Sequence, residues 1–455
     1  VSEGSVRFTF ENREIECADG TSVAGALLAE GTTILTRSFK YHRARGYTCG
    51  YGVCPNCPLT IDGVPGVLSC TAPAKDGMVV SRERGWPSAS WDIFEASALF
   101  SRLLTAGFQF RYFARHPRLA HLFETVMAHI AGAGRIPTAA AADRLTTRVF
   151  PQDNRIPFAP DVVVVGGGLS GCQAAISAAC AGATVVLVND GPLGGRSLAG
   201  RCRVAVDAAG IERRVDRLAD ELITAVRAMT PAITVIDGTA VGWFEGGVMP
   251  VVGDGVQVQL RPASLVVAAG SYEIADLYAG NDLPGTMLQG AAERLLHREN
   301  VRPGNRAVVV TDSDAGLEFA DELTAAGITV ELVVDKRVGV APAARHAVVT
   351  GARVVRARGR RAVRGVDVRH GDGRIFKYRC DLVVHALGER PAEELRTQWL
   401  AQHSAAATGM WTVGSACVED RGTMSALQHA AHVGLLAAKT ALAQAPDDDE
   451  VASDA

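Results

Sequence analysis

Long apolar runs are absent. No stretch of the 455 residues reaches the roughly 18 consecutive apolar positions that a membrane-spanning helix needs. The opening VSEGSVRFTFENREIE has no basic segment leading into an apolar core, so no secretory signal is read there and a cytoplasmic location is expected. Excess charge of either sign is also missing. With 46 Lys and Arg against 49 Asp and Glu, the chain has no electrostatic bias toward nucleic acid. The 48 glycines follow no three-residue period, which excludes a collagen-like chain. They point instead to tight turns and close backbone approaches. No solenoid repeat is present. Apolar residues make up 48% of the chain, enough for the two or three cores that its length predicts.

Cysteine is plentiful and unevenly placed. Six of the ten (Cys17, Cys172, Cys180, Cys202, Cys380 and Cys417) stand singly in apolar stretches and read as small buried hydrophobes. Cys49, Cys54, Cys57 and Cys70 are spaced with four, two and twelve residues between them. Three of these sulfurs come from one loop, CGYGVCPNC, whose small residues let the backbone fold around a cluster. The fourth comes from just beyond the next short strands. Plant-type 2Fe-2S proteins share this C-x4-C-x2-C opening and one distant Cys. Four thiolates hold the two irons, and backbone N–H groups of such a loop can donate to sulfur. Structural zinc is the rival reading, but zinc sites usually use two separate C-x2-C knuckles and only one pair has that spacing here. A disulfide pair does not suit a cytosolic chain. The strands within VRFTFENREIE (6–16) and the helix within DGTSVAGALLAEG (19–31) fit the β-grasp fold of ferredoxins.

Residues 88–150 are helix-like with interruptions, and the polar, Pro-bounded PQDNRIP (151–157) marks a domain boundary. From Asp161 a strand–helix–strand rhythm begins, as in a parallel sheet with crossover helices. VVVVGGGLSGCQAA places Gly166, Gly168 and Gly171 in G-x-G-x-x-G between a strand and a helix. The glycines permit the tight turn, the approach of a pyrophosphate and close helix packing, and the helix N-terminus favours the phosphates. The next strand ends at Asn189 and Asp190, where a ribose contact is expected. GPLGGRS (191–197) adds a second turn with Gly194, Gly195 and Arg196 along a flavin. Val241, and Ala269 and Gly270 in LVVAAGSYE (265–273), complete the expected cofactor contacts with Gly414 in MWTVGSACVED (410–420). Ser415 replaces the usual acid after that last glycine. His429 and His432, one turn apart on the helix that follows, read as packing or surface residues.

A second such unit begins at RAVVVTDSDAGLEFADELTAAGITVELVVD (306–335), where Thr311, Ser313 and Gly316 stand in the glycine positions. Asp312 and Asp314 would repel a pyrophosphate, so ordinary NADH binding is not expected there. No Cys pair follows the double Gly in GGRSLAGRC, unlike the disulfide reductases. The Arg- and Val-rich 353–369 reads as a hairpin or meander with a solvated face.

Three segments carry a family resemblance: RSFKYHRARGYTCG (37–50), CTAPAKDGMVVSRERGWPS (70–88) and YAGNDLPGTMLQGAAERLL (278–296). They resemble the α subunit of heterotetrameric sarcosine oxidase and its relatives, the multi-subunit proline, hydroxyproline and opine dehydrogenases and hydrogen cyanide synthase. The resemblance implies a flavin-containing β subunit that oxidises the amine, possible further small subunits, and an FMN at a subunit interface. It implies FAD, NAD or another adenine nucleotide at the α-subunit site. The four cysteines are a departure from sarcosine oxidase α and resemble members with a ferredoxin-like module. The folate-binding half of that subunit is not in this sequence, so methylene transfer to tetrahydrofolate is not expected of it.

The expected fold is α/β. A β-grasp 2Fe-2S domain (1–90) is followed by a helical connector (91–157) and a glutathione-reductase-like pair of dinucleotide folds. Of these, 158–272 with 381–443 binds FAD, 273–380 is the second dinucleotide-like domain, and 444–455 is a disordered tail. The expected role is an electron-transfer subunit of an amine or imino-acid dehydrogenase or oxidase, with a small amine as the substrate of the complex. No residue presents itself as the base for amine oxidation. A self-contained NAD(P)H:acceptor oxidoreductase and a redox-inactive nucleotide-binding scaffold are the alternatives.

Overall fold

The computed structural model describes residues 4–100, 107, 115–131, 148–149, 158–200, 203–207, 209–253, 256–339, 345–403, 409–417 and 423–444. Most of the expected connector, the boundary at 151–157 and the tail after Gln444 lie outside these residues. The chain divides into two compact units, one within 1–144 and 273–388, the other within 145–272 and 389–455.

In the first unit, a five-stranded sheet runs in the order Arg13–Ala18, Ser5–Phe10, Val79–Ser81, Pro58–Ile61, Val64–Leu68. The first two strands form the antiparallel hairpin expected over 6–16. Alternation turns Phe8, Phe10 and Ile15 into the core. The helix Val23–Ala29 starts at Ser22, whose hydroxyl accepts the Gly25 N–H at 3.0 Å.

The same unit contains a second sheet in the order Thr286–Leu288, Leu382–Ala386, Arg306–Thr311, Thr329–Asp335, Val348–Thr350, all parallel. The crossover helix Asp314–Ala325 buries Phe319, Ala320 and Leu323 against it. Leu382–Ala386 therefore corrects the domain division drawn from sequence, which gave 381 onward to the first dinucleotide domain. The strand is buried along its whole length between two neighbours, and that burial is what its run LVVHA satisfies. One continuous core joins Phe8 and Leu59 of the N-terminal sheet and Leu27 of the helix beside it to Met287, Leu295 and Phe319. Shared apolar burial of this kind makes the two sheets a single unit. A three-stranded antiparallel sheet over Arg353–Tyr378 includes the hairpin expected at 353–369.

In the second unit five parallel strands run in the order Ile233–Asp237, Val185–Asn189, Val162–Val165, Ser264–Val267, Met410–Thr412. The run VVVV (162–165) is buried on both faces, as an inner parallel strand requires. Helices Leu169–Cys180 and Thr423–Gln444 pack closely because small residues line their contact. A Cβ on Gly434 would stand 2.3 Å from the Ala174 carbonyl oxygen.

Candidate functional site: a thiol cage and a glycine turn

The cysteine loop owes its shape to glycines in the left-handed region, Gly50 and Gly52, both at φ +75°. Gly50 also lies against the helix that begins at Gln289: a Cβ there would stand 3.0 Å from the Ala291 Cα. The Ser69 hydroxyl and N–H both donate to the Cys57 carbonyl, at 2.7 and 3.1 Å, which brings Cys70 back beside Cys57. Cys49, Cys57 and Cys70 are buried and Cys54 is half-buried.

The four sulfurs touch in a chain, Cys54 to Cys49, Cys49 to Cys70, and Cys70 to Cys57. Hydrogen bonds from the Cys54 and Cys70 thiols pull the Cys49 thiol down to about 2, and backbone N–H groups of Tyr51 and Val53 add to them. The Cys70 thiol and N–H lower Cys57 in the same way, while Cys54 and Cys70, as donors, are raised. N–H groups aimed at sulfur suit anionic thiolates shared with a metal cluster. Among the described residues no three His, Cys, Asp or Glu side chains close on a single ion. Four thiols gathered from one loop and the turn beyond the next strands suit the four thiolates that two irons share.

In the second unit each glycine of G-x-G-x-x-G has its own reason. Gly166 sits at φ +105°, and a Cβ there would fall 2.2 Å from the Ala268 carbonyl oxygen. On Gly171 a Cβ would strike the Gly166 carbonyl oxygen at 1.8 Å. Gly168 caps the helix Leu169–Cys180, and a Cβ on it would meet no protein atom within 4 Å. The space beside Gly168 is thus open where a pyrophosphate would approach, so the turn fits a dinucleotide. The second glycine turn is laced to the first: Gly194 N–H donates to the Gly167 carbonyl at 2.7 Å, with Gly194 and Gly195 at φ +94° and +54°.

Several residues expected as contacts are already engaged within the protein. The Asn189 side chain accepts from Gly167 N–H at 2.7 Å and donates to the Gly191 carbonyl, so it braces the turn. Asp190 beside it is exposed. Arg196 pairs with Glu389, which also accepts from Ser271. Burial pushes the Glu389 carboxyl up, but Arg196 and Ser271 hold it below its ordinary value. Val241 is exposed and its N–H donates to the Pro250 carbonyl at 2.9 Å. Ala269 is exposed, and the Gly270 carbonyl accepts from Ala392 N–H. Gly414, at φ +66°, lies against Ser170: a Cβ would come 2.7 Å from its hydroxyl. A cavity of about 840 Å³ lined by Trp243, Arg261, Trp399 and His403 includes none of these residues.

The corresponding turn of the first unit is closed by its own side chains. Thr311 Oγ1 bonds both N–H and carbonyl of Ser313, at 3.1 and 2.9 Å. Arg337 spans the end of the neighbouring strand, donating to buried Asp335 at 2.7 Å and pairing with Asp314 at 2.8 Å. The Asp314 carboxylate thereby supplies, in the first turn of the helix, the anion that a phosphate would otherwise bring. The expectation from Asp312 and Asp314 rested on repulsion, and Arg337 adds physical closure that no motif announces. NADH or NADPH added to the purified chain is therefore expected to stay unoxidised with a dye acceptor present. Steady loss of nicotinamide absorbance would overturn this assignment.

Comparison with known proteins follows the same division. Residues 3–85 match the family model described as 2Fe-2S iron-sulfur cluster binding domain, and 160–408 match pyridine nucleotide-disulphide oxidoreductase. The chain is 32% identical over 411 residues to the sarcosine oxidase subunit alpha of Rhizobium meliloti, covering 84% of this chain and 40% of that one. It is 31% identical over 210 residues to the same subunit of Corynebacterium sp. strain P-1, covering 43% of this chain and 21% of that one. The chain thus spans less than half the length of these curated relatives. Among solved structures, L-proline dehydrogenase from P. horikoshii superposes with TM-score 0.65 at 21% identity, covering 96% of this chain and 74% of that one. Lactococcus lactis thioredoxin reductase superposes with TM-score 0.51 at 14% identity, covering 62% and 99%. Both likenesses concern the fold. No helix among the described residues is long and apolar enough to cross a membrane.

Proposed function

The chain belongs to the pyridine nucleotide-disulphide oxidoreductase family and is a homologue of sarcosine oxidase α subunits with a 2Fe-2S domain, and from that premise we propose that it is the electron-relay subunit of a multi-subunit amine or imino-acid dehydrogenase or oxidase. The observation that carries this reading is the pairing, in one chain, of a four-thiol cage with N–H donors on sulfur and a glycine turn open beside Gly168. Cys49, Cys54, Cys57 and Cys70 would hold the cluster. The turn at Gly166, Gly168 and Gly171 would hold the FAD pyrophosphate, with exposed Asp190 at the ribose. When bound, FAD supplies two-electron acceptance and the cluster one-electron transfer.

The protein's own groups bind and position. Backbone N–H groups hold the thiolates, Asn189 stiffens the phosphate turn, and Arg196 fixes the segment at Glu389 to it. The substrate C–H, the flavin that oxidises it and any interface FMN belong, in this reading, to a β subunit, with small further subunits completing the complex. The cytoplasm suits a thiol cage that must stay reduced until it is loaded.

Closure of the second turn by Arg337 argues against a self-contained NAD(P)H oxidoreductase. The scaffold alternative is tested by reduction of the purified chain: an inert visible spectrum under dithionite would favour it. The relay reading makes a further prediction. Expressed alone, the chain is expected to give no dye reduction with sarcosine, proline, hydroxyproline or opines. Expressed with its genomic neighbours, it is expected to restore activity on one of them. Oxidation requires the C–H and the flavin about 3–3.5 Å apart in a shaped pocket. Turnover by the isolated chain at the rate of the complex would place the active site here instead.

A further inference from the structure

A buried ion pair in the first unit has no part in the reading above. Arg294 and Glu299 are 7% and 5% exposed, and Arg294 Nε donates to Glu299 Oε1 at 2.7 Å. Arg294 opens a π-helical turn, Arg294–Arg298, an irregularity often found at functional sites. Its Nη1 donates to the Gly50 carbonyl at 3.0 Å, and Gly50 follows Cys49 directly. The guanidinium also lies over the Tyr51 ring, 5.8 Å from its centroid. On the other side, the Ser22 hydroxyl donates to Glu299 Oε2 at 2.9 Å while capping the helix Val23–Ala29. Arg298 is the second cation of the turn. Burial lowers its pKa, and the Arg294 charge lowers it further.

A buried ion pair costs desolvation on both partners and is weak evidence for stability. This one spends its hydrogen bonds on the backbone of the cysteine loop and on the helix cap beside it. We propose that Arg294 is a positioning residue of the cluster: it clamps the loop through the Gly50 carbonyl and holds, with Glu299, a fixed charge pair that sets the cluster's reduction potential. The inference rests on placing the cluster at the four cysteines. Reduction adds a negative charge to the cluster, so a nearby cation raises the potential and a nearby anion lowers it. In a buried site these effects are little screened by salt.

The test is a redox titration of the full-length chain, followed by the electron paramagnetic resonance of the reduced cluster. Arg294→Gln is expected to shift the midpoint to more negative values, and Glu299→Gln to more positive ones. Arg294→Lys keeps the charge and is expected to return most of the Arg294→Gln shift. In the double variant Arg294→Gln/Glu299→Gln the shifts are expected to offset each other largely. Opposite signs for the two single variants are what a purely structural role would not produce. Shifts of the same sign, or none, overturn the proposal. Should Arg294→Gln fail to hold iron, Glu299→Gln alone decides: a positive shift supports the proposal and any other result overturns it. Iron and sulfide analysis of the parent chain separates the two readings, since a parent without iron would sink the cluster placement itself.

Discussion

Cys57→Ser is expected to strip iron and labile sulfide from the chain while bound nucleotide stays at the parent level. The parent is expected to carry two irons and two sulfides per chain, and the variant to fall close to none of either. The loss is large because Cys57 is buried and its sulfur receives both the thiol and the N–H of Cys70. A serine oxygen in that position is a harder ligand with a far higher pKa than a thiol, so it does not replace a thiolate on iron. The backbone is expected to tolerate the exchange, since the Ser69 bonds run to the Cys57 carbonyl and not to its sulfur. Nucleotide is expected to stay because the glycine turn is built on a separate core, around Val162, Val164 and Leu187. Cys172→Ser is the matched control. Burial pushes that thiol up to about 11, it donates to the Gly167 carbonyl, and it is expected to leave iron unchanged. One zinc per parent chain without sulfide, or full iron in Cys57→Ser, would contradict the assignment.

Gly168→Val is expected to abolish retention of the dinucleotide with normal iron content and an unchanged fold. The backbone at Gly168, φ −70° and ψ −177°, is open to any residue, and a Cβ there meets no protein atom within 4 Å. The branched side chain would instead occupy the space where the pyrophosphate approaches the helix N-terminus. Overpacking of this kind costs about 1–3 kcal/mol, or roughly 5- to 150-fold in affinity. That is enough to lose a cofactor during purification. Gly171→Ala behaves differently, because its Cβ would strike the Gly166 carbonyl oxygen at 1.8 Å and must displace the turn itself. That variant is expected to lower thermal stability together with nucleotide content. Flavin or nucleotide released by acid and quantified against protein reads both variants. Full occupancy in Gly168→Val would move the binding site away from this turn.

The parts of the molecule legible in the sequence were those encoded over short spans. The hairpin at 6–16, the capped helix after Ser22, the strand VVVV (162–165) and the three-cysteine loop each follow from the order of neighbouring residues. Alternation, capping and glycine placement act over a few positions, so they leave a readable mark. Departures such as TDSDAG were legible as well, because a missing glycine in a phosphate turn has direct steric and electrostatic meaning.

What the sequence alone determined was thus the kind of each part: a four-cysteine set, a glycine turn suited to a pyrophosphate, and a second turn whose aspartates repel one. Only the tertiary structure decided which distant residues serve those parts. Asn189, read as a ribose contact, is taken up by Gly167, 22 positions away. Leu382–Ala386 joins the second sheet because its run LVVHA needs neighbours on both sides, a condition two sheets could meet from the pattern alone. Arg294 reaches Gly50 across 244 positions, and nothing in the run ERLLHREN sets its arginines apart. The physical reason is the same in each case. Local periodicity specifies which face of an element is buried, while the partner that face meets depends on how whole elements pack. A polar side chain carried into that interface takes whichever backbone group the packing leaves unsatisfied.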